Sequence, residues 1–130
     1  MTNEEKELLL KELCARLPHG VKYRTCLGDT FTLKKVDLET STECYVDCAW
    51  RISDIKLYLR PMNSMTEDER YEYEGTRCQT FLENGESERS DTIDTYDWLN
   101  ANGFDHRGLI EKGLSLEAPD GMYKNVTISI

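Results

Sequence analysis

The spacing of apolar residues changes twice along this chain. Near the start, Leu9, Leu13 and Leu17 recur every fourth residue, with Leu10 and Cys14 widening the stripe. Glu5, Lys6, Glu12 and Arg16 are expected to face water. That is the period of one helix face. Thr2 and Glu5 have capping-box spacing, and Pro18 and Gly20 end the segment. A helix over residues 2–17 is predicted, with a stripe suited to docking on a sheet.

From residue 21 to 60 the period falls to two. Residues 21–27 and 30–38 are β-rich and flank Gly28-Asp29, which predicts a hairpin. Cys44, Val46, Cys48 and Trp50 alternate with Tyr45, Asp47 and Ala49; Ile55, Leu57 and Leu59 alternate with Lys56, Tyr58 and Arg60. Together these runs predict a four-stranded antiparallel meander with one buried face, in which Cys44 and Cys48 line the core beside Val46 and Trp50. Pro61 stops the last strand.

Helix signals then return. Ser64 with Glu67, and Thr66 with Glu69, both have capping spacing, so a helix over residues 66–74 is predicted, with Gly75 as its carboxyl cap. Residues 78–82 read as a short strand, Asn84-Gly85 as a turn, and residues 83–91 as a polar, flexible loop. Residues 92–102 read as a helix with Ile93, Tyr96 and Leu99 on one face and Trp98 beside it. Asp105 caps a short helix through Lys112, closed by Gly113 and anchored by Leu109 and Ile110. Residues 118–121 form a turn, and Val126, Ile128 and Ile130 predict a final strand on the sheet.

The sum is an α+β fold in a single domain, residues 1–130. An antiparallel sheet of four or five strands, with partial rolling into a barrel-like form open, packs against the amino-terminal helix and two or three later helices. The length fits one domain with a real core. Two Trp, seven Tyr and three Phe argue against disorder. The longest leucine run, Leu8-Leu9-Leu10, is far short of a membrane span. The acidic opening Met1-Thr2-Asn3-Glu4-Glu5 is unlike a secretory signal, so a cytoplasmic location and no membrane partner are expected. Five cysteines at irregular spacing fit free, buried thiols rather than a disulfide framework.

Charge is what singles out one stretch. Residues 1–60 hold 10 acidic and 10 basic side chains, and residues 106–130 hold 3 of each. Residues 61–105 hold 12 acidic and 3 basic, and so carry the whole net charge of -9. A field of one sign selects its partners. The candidate interaction surface is therefore Glu67, Asp68, Glu69, Glu72, Glu74, Glu86, Glu88, Asp91, Asp94 and Asp97. A basic protein is the expected partner, and nucleic acid is disfavoured by repulsion from phosphate.

Catalytic and metal constellations are weak. Cys44 and Cys48 lack the second pair that a zinc site needs. Asp91, Asp94 and Asp97 recur every third residue, which suits capping a helix start better than holding a cation. There is no Gly-x-Ser-x-Gly elbow and no phosphate loop. No catalytic, metal or cofactor residue is assigned, and a non-enzymatic interaction module is expected. Two alternatives stand beside it. One is a nucleic-acid binder using Lys22, Arg24, Lys34, Lys35, Lys56 and Arg60 with Tyr45 and Tyr58. The other is a small enzyme built on Asp105, His106 and a cysteine, Cys14 or Cys78.

A resemblance adds context. Three segments carry it: Glu5-Lys6-Glu7-Leu8-Leu9-Leu10-Lys11 through Leu13-Cys14-Ala15-Arg16-Leu17-Pro18; Tyr58-Leu59-Arg60-Pro61-Met62-Asn63-Ser64-Met65-Thr66-Glu67; and residues 97–113 from Asp97-Trp98-Leu99 to Glu111-Lys112-Gly113, continuing to Leu116-Glu117-Ala118-Pro119. In these the chain resembles a family of small uncharacterised proteins of gut Bacteroidetes genomes, often found in prophage or mobile-element neighbourhoods. The resemblance implies a bacterial cytosol and an accessory gene. It implies no catalytic residue.

Overall fold

Thr2 starts the first helix, α1 (Asn3–Arg16): its hydroxyl accepts the Glu5 N–H at 3.1 Å while Glu5 accepts the Thr2 N–H at 2.9 Å. The fold, taken from a computed structural model, is described for residues 1–40 and 43–123. Leu9 and Leu13 are fully buried, as the four-residue spacing requires. A 3-10 turn at Leu17–His19 and the left-handed Gly20 end the helix.

Strands β1 (Lys22–Thr25) and β2 (Thr30–Thr32) form the expected hairpin, with Tyr23 opposite Phe31. The second strand stops early, however. Asp47 takes the N–H groups of Lys34 and Lys35, each at 2.9 Å, which turns the chain out of the first ladder. It re-enters a separate sheet as β3 (Val36–Leu38), β4 (Cys44–Val46) and β5 (Trp50–Arg51). Between β4 and β5, Asp47 and Cys48 have φ of +52° and +61°, and the Ala49 N–H bonds Val46 O at 3.1 Å. Positive φ at both central residues is what a type I′ turn requires, here within a three-residue connection, 47–49, between the paired Val46 and Trp50, and Asp tolerates the left-handed region better than most residues. The 44–50 alternation is thus two strands rather than one, and Cys48 is exposed at the turn instead of lining the core. Tyr23 holds Asp47 in place by donating its hydroxyl at 2.5 Å.

After a 3-10 turn at Ile52–Asp54, β6 (Ile55–Leu59) buries Ile55, Leu57 and Leu59 and leaves Lys56 outside. It pairs antiparallel with β1 and parallel with β9 (Ser115–Glu117), giving the order β2-β1-β6-β9. The main sheet is therefore mixed rather than an antiparallel meander. A parallel neighbour needs a long crossover, which residues 61–114 supply. Among the described residues no sheet closes into a barrel. Leu9 and Leu13 of α1 share one core cluster with Val21, Tyr23, Cys44, Val46, Leu57 and Leu59.

The crossover carries α2 (Glu67–Thr76), the hairpin β7 (Cys78–Phe81) and β8 (Ser87–Ser90), and α3 (Ile93–Ala101). Of the two capping signals, the Thr66–Glu69 box is the one formed. Gly75 lies inside α2, and Arg77 is its cap. A strand, β8, stands where a flexible loop is expected. Thr92 and Thr95 form a reciprocal cap and both donate to Thr76 O, which fixes the rotation of α3. Thr95 and Leu99 consequently face inward while Ile93 and Tyr96 face solvent. Residues 105–113 are turns rather than a helix, although Asp105 caps them as expected, accepting the Leu109 and Ile110 N–H groups at 2.9 Å each. Cys44 is buried, whereas Cys14, Cys26, Cys48 and Cys78 are exposed, against the expectation of buried thiols. The strand expected at Val126, Ile128 and Ile130 lies outside the described residues. Among the described residues no helix is long and apolar enough to cross a membrane.

Candidate interaction surface

Segment 67–90 contributes almost nothing to the core. No residue of α2 is buried, and every residue of β7 and β8 is exposed. A two-stranded hairpin alone in water is marginal, so something polar must hold these elements.

Arginines do most of this. Arg60, just past β6, grips Glu69 with both terminal guanidinium nitrogens, at 2.6 and 2.7 Å, and lies 4.1 Å over the Phe104 ring. Phe104 stacks on Trp98 at 5.6 Å, and Trp98 meets Tyr73 of α2 at 6.1 Å. Arg77 pairs with Asp91 at 2.9 Å and donates to Arg89 O at 3.0 Å. Arg89 pairs with Glu74 at 3.2 Å. The hairpin is thereby tied to α2, and α2 to the sheet.

These contacts sort the ten candidate carboxylates. Glu69, Glu74 and Asp91 face arginines and are neutralised within the fold. Arg60 first, helped by the Thr66 cap, holds the Glu69 carboxyl below its ordinary value. The other seven, Glu67, Asp68, Glu72, Glu86, Glu88, Asp94 and Asp97, are exposed, and among the described residues they form no ion pair. Of the stretch's three basic residues, Arg77 and Arg89 are engaged internally, so the charge left facing water is nearly all negative.

Apolar side chains stand among these acids. Tyr71 is 83% exposed, Phe81 78% and Ile93 80%, with Tyr96 and Leu82 also exposed. Single exposed apolar residues are ordinary. Five within residues 71–96, the stretch that also carries the exposed carboxylates, give it the composition of a recognition surface.

A cleft of about 900 Å³ lies where α2 meets the ends of β6 and β9, lined by Arg60, Asp68, Glu69, Tyr71, Glu72 and Tyr123 among others. Its one guanidinium is already held by Glu69. Tyr123 closes the far wall: its hydroxyl accepts the Lys22 N–H and donates to Tyr58 O, both at 2.7 Å, and burial pushes it up to about 12.

Asp105, His106 and a cysteine form no hydrogen-bonded triad among the described residues. Both Asp105 oxygens accept backbone N–H groups. His106 pairs Nε2 with Asn100 Oδ1 at 2.9 Å, packs on Tyr96, and is lowered by burial. Among the described residues its ring bonds no cysteine, and no group of three or more His, Cys, Asp or Glu side chains could hold a metal. The basic face divides as well. Lys22, Arg24 and Lys56 share the outer face of the main sheet, while Lys34 and Lys35 sit in the β2–β3 connection and Arg60 lies under α2.

Two features gave little sequence signal. One is the exposed apolar set, because Ile93 and Tyr96 mimic a core stripe by spacing. The other is a buried pair with an exposed third member: Glu12 accepts from the buried Arg16 at 2.6 Å and from the exposed Arg107 at 2.7 Å, and Arg16 donates to Phe104 O at 2.5 Å. Glu12 and Arg16 are thus buried rather than facing water as the spacing predicts, because Phe104 O and Arg107 meet them across α1. Comparison with protein-family models, curated proteins and solved structures yields no match.

Proposed function

We propose that the chain is a non-enzymatic recognition module, an accessory or regulatory factor that meets a basic protein partner through its acidic pole. The pole comprises α2, the β7–β8 hairpin and the outer side of α3. The observation that carries the reading is that this segment has no core of its own. It is fastened by Arg60, Arg77 and Arg89, and it turns to water several bare apolar side chains and seven carboxylates that form no ion pair among the described residues. Carboxylates of this kind steer a cationic surface in, and Tyr71, Phe81 and Ile93 supply apolar area once it arrives. A partner that itself binds nucleic acid fits this chemistry, with the acidic pole competing for its phosphate site.

The test is a calorimetric titration with a 15-residue peptide rich in lysine and arginine, repeated as sodium chloride is raised. Affinity that falls steeply with salt supports the reading. Absent binding, or binding indifferent to salt, removes its electrostatic basis.

A further inference from the structure

At the opposite end of β6 the charge reverses. Arg24 of β1 and Lys56 of β6 are direct cross-strand partners on the outer face of the main sheet. Such partners stand about 4.5–5.5 Å apart at Cβ, and like charges there are destabilising. The chain has 25 acidic side chains, yet among the described residues neither Arg24 nor Lys56 forms an ion pair. The Arg24 guanidinium folds over the left-handed Gly28, where a Cβ would lie 3.7 Å from Nη2. Both cations line a hollow of about 330 Å³ with Thr25, Cys26, Ser53, Asp54 and Leu116. The backbone N–H groups of Thr25, Cys26 and Gly28 are already bonded within the fold, so side chains supply the free donors.

We infer that this hollow is a phosphate site, with Arg24 and Lys56 as its two cationic donors and the Ser53 hydroxyl beside them. An anion seated between the two cations removes their repulsion and replaces it with charge-assisted hydrogen bonds. The volume suits one phosphate group and part of what it esterifies. Asp54 on the wall and the net charge of -9 repel any anion, and the repulsion grows with each further phosphate, so the ligand is free phosphate or a phosphate monoester rather than a nucleic-acid strand. The hollow shares no residue with the acidic pole, and the four residues from Lys56 to Arg60 separate them by about 13 Å along the strand direction.

The test is an amide-resolved NMR titration with inorganic phosphate, ionic strength being held constant with sodium chloride. Saturable shifts confined to residues 24–28 and 53–56, with α2 and the hairpin unmoved, are expected. Lys56→Gln and Arg24→Gln each weaken the binding by about tenfold or more. Both variants fold, and without phosphate their Tm equals or exceeds that of the wild type, because each removes one of two facing like charges. Shifts that are absent, spread over the whole surface, or unchanged in K56Q overturn the inference. A six-nucleotide single-stranded DNA forms the second arm. Binding no tighter than free phosphate at equal phosphate concentration agrees with the inference, and clearly tighter binding overturns the monoester assignment. Either failure leaves the acidic-pole reading standing, since that reading is tested on other residues.

Discussion

Glu69→Gln isolates the clamp that fastens α2 to the sheet. The wild-type carboxylate makes two charge-assisted bonds to Arg60, at 2.6 and 2.7 Å, and accepts the Thr66 N–H at 3.0 Å. A hydrogen bond to a charged group contributes about 1.5–3 kcal/mol. The pair here is about one-fifth exposed, which lowers the figure through screening. The glutamine amide retains one acceptor, and Arg60 keeps its seat on Phe104. A net loss of about 1.5 kcal/mol follows, or roughly tenfold in the equilibrium for local opening. Because no residue of α2 is fully buried, the loss appears as local unfolding rather than global destabilisation. Native-state hydrogen exchange of E69Q should therefore show about tenfold less protection in residues 67–76, with β1 and β6 unchanged. Acid should act through the same contact. The Glu69 pKa is lower folded than unfolded, so its contribution is complete above the ordinary value of 4.5 and disappears as pH falls through the folded value. Wild-type α2 should thus lose protection below about pH 4.5, and E69Q should lose less. Unchanged α2 protection in E69Q, or a loss spread equally over α1 and the sheet, refutes the reasoning.

Three further outcomes follow from named contacts. Glu12→Gln leaves the fully buried Arg16 without its counter-charge and should cost about 3–5 kcal/mol in urea unfolding, most of it recovered in the double variant E12L/R16M; a cost under about 1 kcal/mol contradicts this. Gly103→Ala places a Cβ 2.8 Å from the Tyr123 ring at a φ of +76°, and should lower unfolding stability by about 1–3 kcal/mol, whereas an unchanged urea midpoint refutes the close approach. Phe81→Ser should alter stability by no more than about 0.5 kcal/mol, since the side chain is 78% exposed, yet weaken binding of the basic peptide several-fold; undiminished affinity takes Phe81 out of the contact.

Legibility in the sequence followed the strength of local signals. Reciprocal capping at Thr2–Glu5 and Thr66–Glu69 marked two helix starts to the residue, and the alternation Ile55-Leu57-Leu59 marked the central strand. What escaped depended on distant partners. Asp47 diverts the chain after β2 and makes a turn within an alternating run, because its carboxylate finds Tyr23, Lys34 and Lys35. Nothing within residues 44–50 announces those partners. The three-residue β9 is too short for a period, and it exists because β6 offers an edge. At the surface, charge counting found the acidic stretch but could not tell Glu69, Glu74 and Asp91, which fasten the fold, from the seven that face water. That distinction rests on where Arg60, Arg77 and Arg89 reach.

Location rather than total charge is the core of the account, and two isoelectric sets of substitutions separate the two. One neutralises Glu67, Asp68, Glu72, Glu86, Glu88 and Asp94 on the pole. The other neutralises Glu4, Glu7, Asp29, Glu39, Asp54 and Glu111 on the body, all exposed and, among the described residues, without ion pairs. Each set removes the same charge, and hydrogen exchange of residues 67–76 verifies that α2 stays formed. Affinity for the basic peptide should fall more than about tenfold with the first set and change far less with the second. Equal losses from the two sets would mean that the peptide senses only net charge, and that the acidic pole is no recognition surface.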